Sequence, residues 1–160
     1  MNAMNSTRRV LLIGYGNDLR GDDCAGRRVA EIIADRGDGL IEVRSVHQLT
    51  PDLAPLIAEQ DLAIFADASS DKLDELVQIR KLVPAEPSLT DAHVGTPPDL
   101  LALAGWLYGH CPEAYAVDIT AENFDFCLTA SSRTLLAIDA AVICVDNIVA
   151  GKLEDVKCMK

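Results

Sequence analysis

Two carboxylates and an imidazole stand where the chain would leave buried strands. Asp23 closes an acid pair with Asp22 in the glycine-rich segment after the apolar run Val10-Leu11-Leu12-Ile13. Asp67 ends the run Leu62-Ala63-Ile64-Phe65-Ala66, and His93 lies in the loop after the strand-like residues 76–82. Such a trio suits a borderline divalent metal, because three protein donors leave positions open for water or a substrate group. The same carboxylates, Asp23 and Asp67, can also act as bases in a hydrolysis. His47, after the alternating residues 41–46, is a further polar group at a strand end. Each residue also has a structural role open to it. Asp22 or Asp23 can cap a helix, Asp67 can receive loop amides, and a single histidine can simply satisfy backbone groups. Capping is the preferred role for Asp22. His47 is read as a backbone-bonded loop residue, with substrate contact as the alternative, and His110 after Gly109 as a favourable charge at a helix end.

The elements that must position these groups alternate between strand-like and helix-like runs, the pattern of an α/β domain. Residues 10–13 are continuously apolar, as in a strand buried on both faces. From Asp22, the apolar positions Ala25, Val29, Ile32 and Ile33 mark an amphipathic helix closed by Gly37. Thr50-Pro51-Asp52 reads as an N-cap, an N1 proline and a first-turn acid, with Leu53, Leu56 and Ile57 facing the core. Residues 62–66 form a third strand, and residues 76–82 a fourth with Val77 and Ile79 on one face. After a loop at 91–98, Pro97 and Pro98 open a helix carrying Leu100, Leu101, Leu103 and Leu107. Residues 114–119 form a fifth strand, and a last helix starts near Ser131 or Ser132 with Leu135, Ile138, Val142, Val145 and Val149 as its stripe. The expected fold is a three-layer α/β/α sandwich around a mostly parallel sheet of five strands, one domain over residues 1–160 with 1–9 flexible. Ligand sites of such sheets gather in the crevice at the strands' carboxyl ends, where the polar groups above fall.

Composition narrows the classes. Lys+Arg 14 against Asp+Glu 25 leaves a net charge of −11, which repels phosphate backbones and anionic membranes and so argues against nucleic-acid binding. Hydrophobic residues make up 49%, enough to build a core without disulfides. The 5 cysteines form no C-x-x-C pair, so neither a zinc knuckle nor a disulfide framework is suggested, and a reducing cytoplasm is the expected compartment. The apolar stretch 140–145 is far too short to span a bilayer, and the polar start of the chain lacks a signal peptide's apolar core.

The segment Gly14-Tyr15-Gly16-Asn17-Asp18-Leu19-Arg20-Gly21-Asp22-Asp23 resembles the G-x-G-N-x-L-x-x-D-[DE] signature of the hydrogenase maturation proteases. These endopeptidases remove a C-terminal extension from the large subunit of nickel-iron hydrogenase. The resemblance continues through His47-Gln48-Leu49-Thr50-Pro51-Asp52-Leu53, Ile64-Phe65-Ala66-Asp67-Ala68 and His93. It implies a five-stranded mixed sheet and nickel-site ligands at Asp23, Asp67 and His93, the trio picked out by the strand ends. It also implies that nickel already installed in the precursor is the recognition signal, so the cofactor is carried by the substrate. The expected partner is the large-subunit precursor, with the chain itself a monomer. His47-Gln48-Leu49 looks more like proteases serving bidirectional or cofactor-linked cytoplasmic hydrogenases. Cys24 stands where many relatives have Gly or Ala.

The glycines of that loop permit positive φ and close approach of a substrate backbone, and Asn17 can fix the turn, so Gly16, Asn17 and His47 are the candidate substrate contacts. A dinucleotide site is opposed by Leu19 at the third glycine position and by two acids where a pyrophosphate would sit. No G-x-S-x-G or H-E-x-x-H occurs. A catalytic role for Cys24 would need a histidine base and is disfavoured by the acids beside it. A non-enzymatic nickel-recognition or scaffold protein on the same fold remains the alternative function.

Overall fold

The computed structural model describes residues 8–86 and 95–153. Five strands, β1 (Val10–Tyr15), β2 (Glu42–Val46), β3 (Leu62–Ser69), β4 (Val77–Leu82) and β5 (Glu113–Thr120), form one sheet in the order β2-β1-β3-β5-β4. The pairs β1/β2, β1/β3 and β3/β5 are parallel, and β4 lies antiparallel on the β5 edge. The mostly parallel sheet expected from the apolar runs is present. Both β1 and β3 run past the expected ends, so Asp67 lies within β3 rather than after it.

Period-two alternation on the central strands splits the core into two layers. Val10 and Leu12 of β1, Leu62, Ile64 and Ala66 of β3, and Val117 and Ile119 of β5 pack against α1 (Ala25–Asp35) and α4 (Ser132–Val149). Leu11, Ile13, Ala63, Phe65, Ala114 and Ala116 pack on the other face, against α2 (Ala54–Ala58) and α3 (Pro97–Tyr108). The helix at α1 is built in two steps, a 3-10 turn Gly21–Cys24 running into the α-helix. It crosses the sheet at close range. A Cβ on Gly14 would lie 2.1 Å from the Gly26 carbonyl oxygen, and one on Gly26 would lie 2.1 Å from that of Ala66.

The stripes read in the sequence are buried at Ala25, Val29 and Ile33 of α1 and at Ile138, Val142 and Val145 of α4, with one departure on each helix. Ile32 of α1 is 39% exposed, whereas Val29, Ala30 and Ile33 are buried. On α4, Leu135 is 54% exposed, and the buried face runs through Thr134, Ala137, Ile138, Ala141, Val142, Cys144, Val145 and Ile148. Helix α3 starts as expected at Pro97, and Thr96 and Asp99 complete a capping box, each side chain bonding the other's backbone N–H. Among the described residues no helix is long and apolar enough to cross a membrane.

The chain leaves β1 toward β2 on one side and returns to β3 on the other. A crevice therefore opens at the carboxyl ends of β1 and β3, the switch point at which open α/β sheets bind ligands.

Candidate active site at the switch point

The loop after β1 is held by an aspartate that reaches across the sheet rim. Asp22 has no exposed surface, yet its carboxylate accepts the backbone N–H groups of Glu122 at 2.7 Å, Asn123 at 2.9 Å and Ser131 at 2.5 Å, and the Ser131 hydroxyl at 2.8 Å. Burial alone would raise its pKa, but the Ser131, Glu122 and Asn123 amides outweigh that and hold it below the ordinary carboxylate value. The capping role expected of Asp22 is real but directed elsewhere. It makes no cap to its own helix, and instead fixes the N-terminus of α4, where Ser131 is the N-cap, and the loop after β5. Backbone bonds from Gly21 to Cys127, from Asp22 to Asn123 and from Cys127 to Leu19 complete the seam.

With Asp22 so fixed, Asp23 turns to the other side. It is half-buried and accepts the Asn17 N–H at 3.1 Å, while the Asn17 side-chain oxygen accepts from Leu19 N–H at 3.0 Å and locks the turn. Gly16 has φ +141°, and a Cβ there would sit 1.9 Å from the Asp23 carbonyl oxygen. Gly16 is thus required by packing against Asp23, a reason the sequence alone did not supply. Asp18 pairs with Arg27 of α1 at 2.6 Å.

Asp67 is the perturbed group of the site. Its pKa is raised to about 7, first by burial, an effect partly offset by the Tyr15 hydroxyl and the Ala68 amide and reinforced by the charges of Asp23 and Asp118. Tyr15 ends β1 beside it, and burial with the Asp67 charge pushes the phenol far up, so it stays protonated. Asp118 is register partner to Asp67 on β5. Arg80 of β4 grips Asp118 with two hydrogen bonds, at 2.5 and 3.0 Å, in the bidentate geometry that fixes both groups. That pairing holds the Arg80 guanidinium firmly cationic. A cavity of about 350 Å³ opens beside these groups, walled by Phe65, Leu82, Ala116 and the Thr96-Pro97-Pro98 start of α3.

Of the sequence-derived residues, Asp23, Asp67, Gly16 and Asn17 meet at this crevice, and Asp23 is near enough for its charge to act on Asp67. Asp67 holds its proton near neutrality, and a divalent cation is a natural replacement for that proton, with the Asp23 carboxylate beside it as a second oxygen donor. His93 lies outside the described residues. Among the described residues no group of three or more His, Cys, Asp or Glu side chains is poised to hold a metal. His47 is exposed directly after β2, at the same carboxyl end of the sheet. Cys24 is buried, and burial raises its thiol pKa. His110 follows the end of α3, and its Nε2 bonds the Gln60 carbonyl at 2.8 Å, tying that helix end to the segment after α2. Tyr15, Arg80 and Asp118 were not singled out from sequence. Asp118 occupies within the fifth apolar run the place that Asp67 holds relative to the third, and that echo was the available signal.

No family model matches the chain, and no curated protein does. Among solved structures, the hydrogenase maturating endopeptidase HybD of E. coli superposes with a TM-score of 0.71 at 22% identity, over 89% of this chain and 93% of that one. The hydrogenase 2 maturation peptidase of a Thaumarchaeota archaeon gives 0.67 at 21% identity, over 91% and 99% of the two chains. The [NiFe] hydrogenase maturation protease HycI of Thermococcus kodakarensis gives 0.66 at 17% identity, over 94% and 95%. The chain has the fold of these endopeptidases along nearly its whole length.

Proposed function

We propose that this chain is an endopeptidase of hydrogenase maturation, which removes the C-terminal extension from a nickel-loaded large-subunit precursor. The observation that carries the reading is the pairing of Asp23 with Asp67 at the switch point, Asp67 having its pKa raised to about 7, in a fold shared with solved maturation endopeptidases. A carboxyl group that titrates near neutrality can take a proton from an attacking water and return it to the leaving amine. Tyr15, kept protonated, supplies a donor beside it. Asp23 and Asp67, joined by His93, would recognise the nickel that arrives with the precursor. Gly16, Asn17 and His47 line the approach of the substrate backbone.

The partner is the precursor protein and not a nucleic acid, in keeping with the net charge of −11. Free thiols at Cys24, Cys111, Cys127 and Cys144 suit a reducing cytoplasm. The deciding experiment mixes the chain with large-subunit precursors of its own cell, with and without nickel, and follows C-terminal mass loss. Loss with the nickel-loaded form alone is the expected result. Efficient cutting of nickel-free precursor would remove nickel from the recognition step. Binding without cutting would leave a nickel-recognition or scaffold protein.

A further inference from the structure

Strand β4 ends the sheet on the side of Asp118 and Asp67, and among the described residues no strand pairs with its outer edge. The register decides which backbone groups that edge presents. Antiparallel partners alternate between pairs that exchange both hydrogen bonds and pairs whose N–H and C=O groups point away from each other. The Thr120 N–H donates to the Leu76 carbonyl at 2.9 Å, so 76 and 120 form a bonded pair. Stepping in twos makes Gln78/Asp118, Arg80/Ala116 and Leu82/Ala114 bonded pairs as well. Val77, Ile79 and Lys81 therefore direct their N–H and C=O groups outward along the edge.

A lysine on an edge strand usually serves to block it. Here the Lys81 ammonium turns back over β5, 3.4 Å from a Glu113 carboxylate oxygen and 6.0 Å from the centre of the Tyr115 ring. Cavities flank the edge on both faces of the sheet. One of about 250 Å³ lies among Val77, Ile79, Lys81, Tyr115 and Leu153. The other, about 350 Å³, runs from Arg80 and Leu82 past Asp118 to Asp67 and Tyr15. Side chains of an added strand would alternate between these two faces.

We propose that the outer edge of β4 is a docking site to which an extended segment of the substrate polypeptide adds as a sixth strand, its chain then passing through the larger cavity to Asp67. The proposal rests on the peptidase reading. Continuity identifies the occupant, since a single cavity carries edge residues at one end and the perturbed carboxylate at the other. Main-chain pairing of this kind gives affinity with little demand on sequence, leaving specificity to the flanking cavities. An added strand lies three strand spacings from β3, about 14 Å. An extended chain covers that distance in roughly four to five residues. The docked segment therefore begins about four residues or more from the scissile bond.

Amide hydrogen exchange with the wild-type protein and saturating nickel-loaded precursor, cleavage being followed in parallel, tests this. The Val77, Ile79 and Lys81 amides should slow by about tenfold or more on adding precursor, while those of Gln78 and Arg80, already in the ladder, stay as they were. In Lys81→Pro, which removes an outward donor and leaves the β5 ladder intact, the loss should fall on KM, about tenfold, rather than on kcat. Unchanged exchange at the outward amides in a mixture that cleaves would overturn the docking edge and leave the peptidase reading standing. Absence of cleavage by the wild-type protein would overturn both.

Discussion

Asp22 and Asp67 both stand at the carboxyl rim of the sheet, one residue and one strand away from Asp23, and their surroundings drive them in opposite directions. Asp22 meets three amides and a hydroxyl, which hold its charge in a place without solvent. Asp67 is half-buried with too few donors and with acids at Asp23 and Asp118, so its charged form is disfavoured until a proton or a cation arrives. A carboxylate whose bonding capacity is filled by its own chain is part of the scaffold, whereas one left wanting is available to a substrate. Asp23, fixed by a single described amide bond, belongs with the second kind.

The largest effect that would sharpen this contrast is on cleavage. Asp67→Asn and Asp23→Asn should each lower precursor processing by about a hundredfold or more, with the fold retained, as read by initial rates of C-terminal release and by circular dichroism. Wild-type rates in both variants would mean that the site is elsewhere.

Asp22 should show the reverse pattern, losing stability first. Asp22→Ala strips the acceptor from three amides and a hydroxyl and should cost about 3 kcal/mol or more in urea unfolding. Because its folded pKa is depressed, its contribution is present above the ordinary carboxylate value and is lost as pH falls through the folded one. Asp22→Asn should accordingly flatten the acid limb of the stability curve.

For Asp67 the sign is inverted. A raised folded pKa means that the native state holds the proton more tightly than the unfolded chain, so stability falls as pH rises from about 4 toward the folded value of about 7. Asp67→Asn should stabilise the chain by about 1–3 kcal/mol at pH near 8 and change little at pH near 4. A stabilisation that did not vary between those conditions would show that the charge is not the cause.

The smallest effect is expected at Cys24. Its thiol is buried and burial raises its pKa, which disfavours the thiolate a nucleophile needs. Cys24→Ala should cost about 1 kcal/mol of packing and leave processing in place. Loss of turnover in that variant with an unchanged melting curve would point to thiol chemistry.

Much of this arrangement was legible in the chain because it is local. The unbroken apolar runs before Gly14, Asp67 and Asp118 mark strands buried on both faces, and Pro97 with Pro98 marks a helix start, since φ and the missing donor act within one turn. The glycine-rich loop and the aspartate that follows the third apolar run were visible for the same reason. What the tertiary structure decided depends on partners far away in sequence. Asp22 meets Ser131 across 109 positions, and Arg80 finds Asp118 across 38, because β4 lies antiparallel on β5. Periodicity found the inward faces of α1 and α4 but not their edges, where Ile32 and Leu135 are exposed. The order β2-β1-β3-β5-β4 likewise brings Tyr15, Asp67 and Asp118 to one crevice. Residue types along the chain determine which groups can ionise and which runs must be buried. The surroundings that separate a satisfied aspartate from a strained one exist only once distant segments have closed on each other.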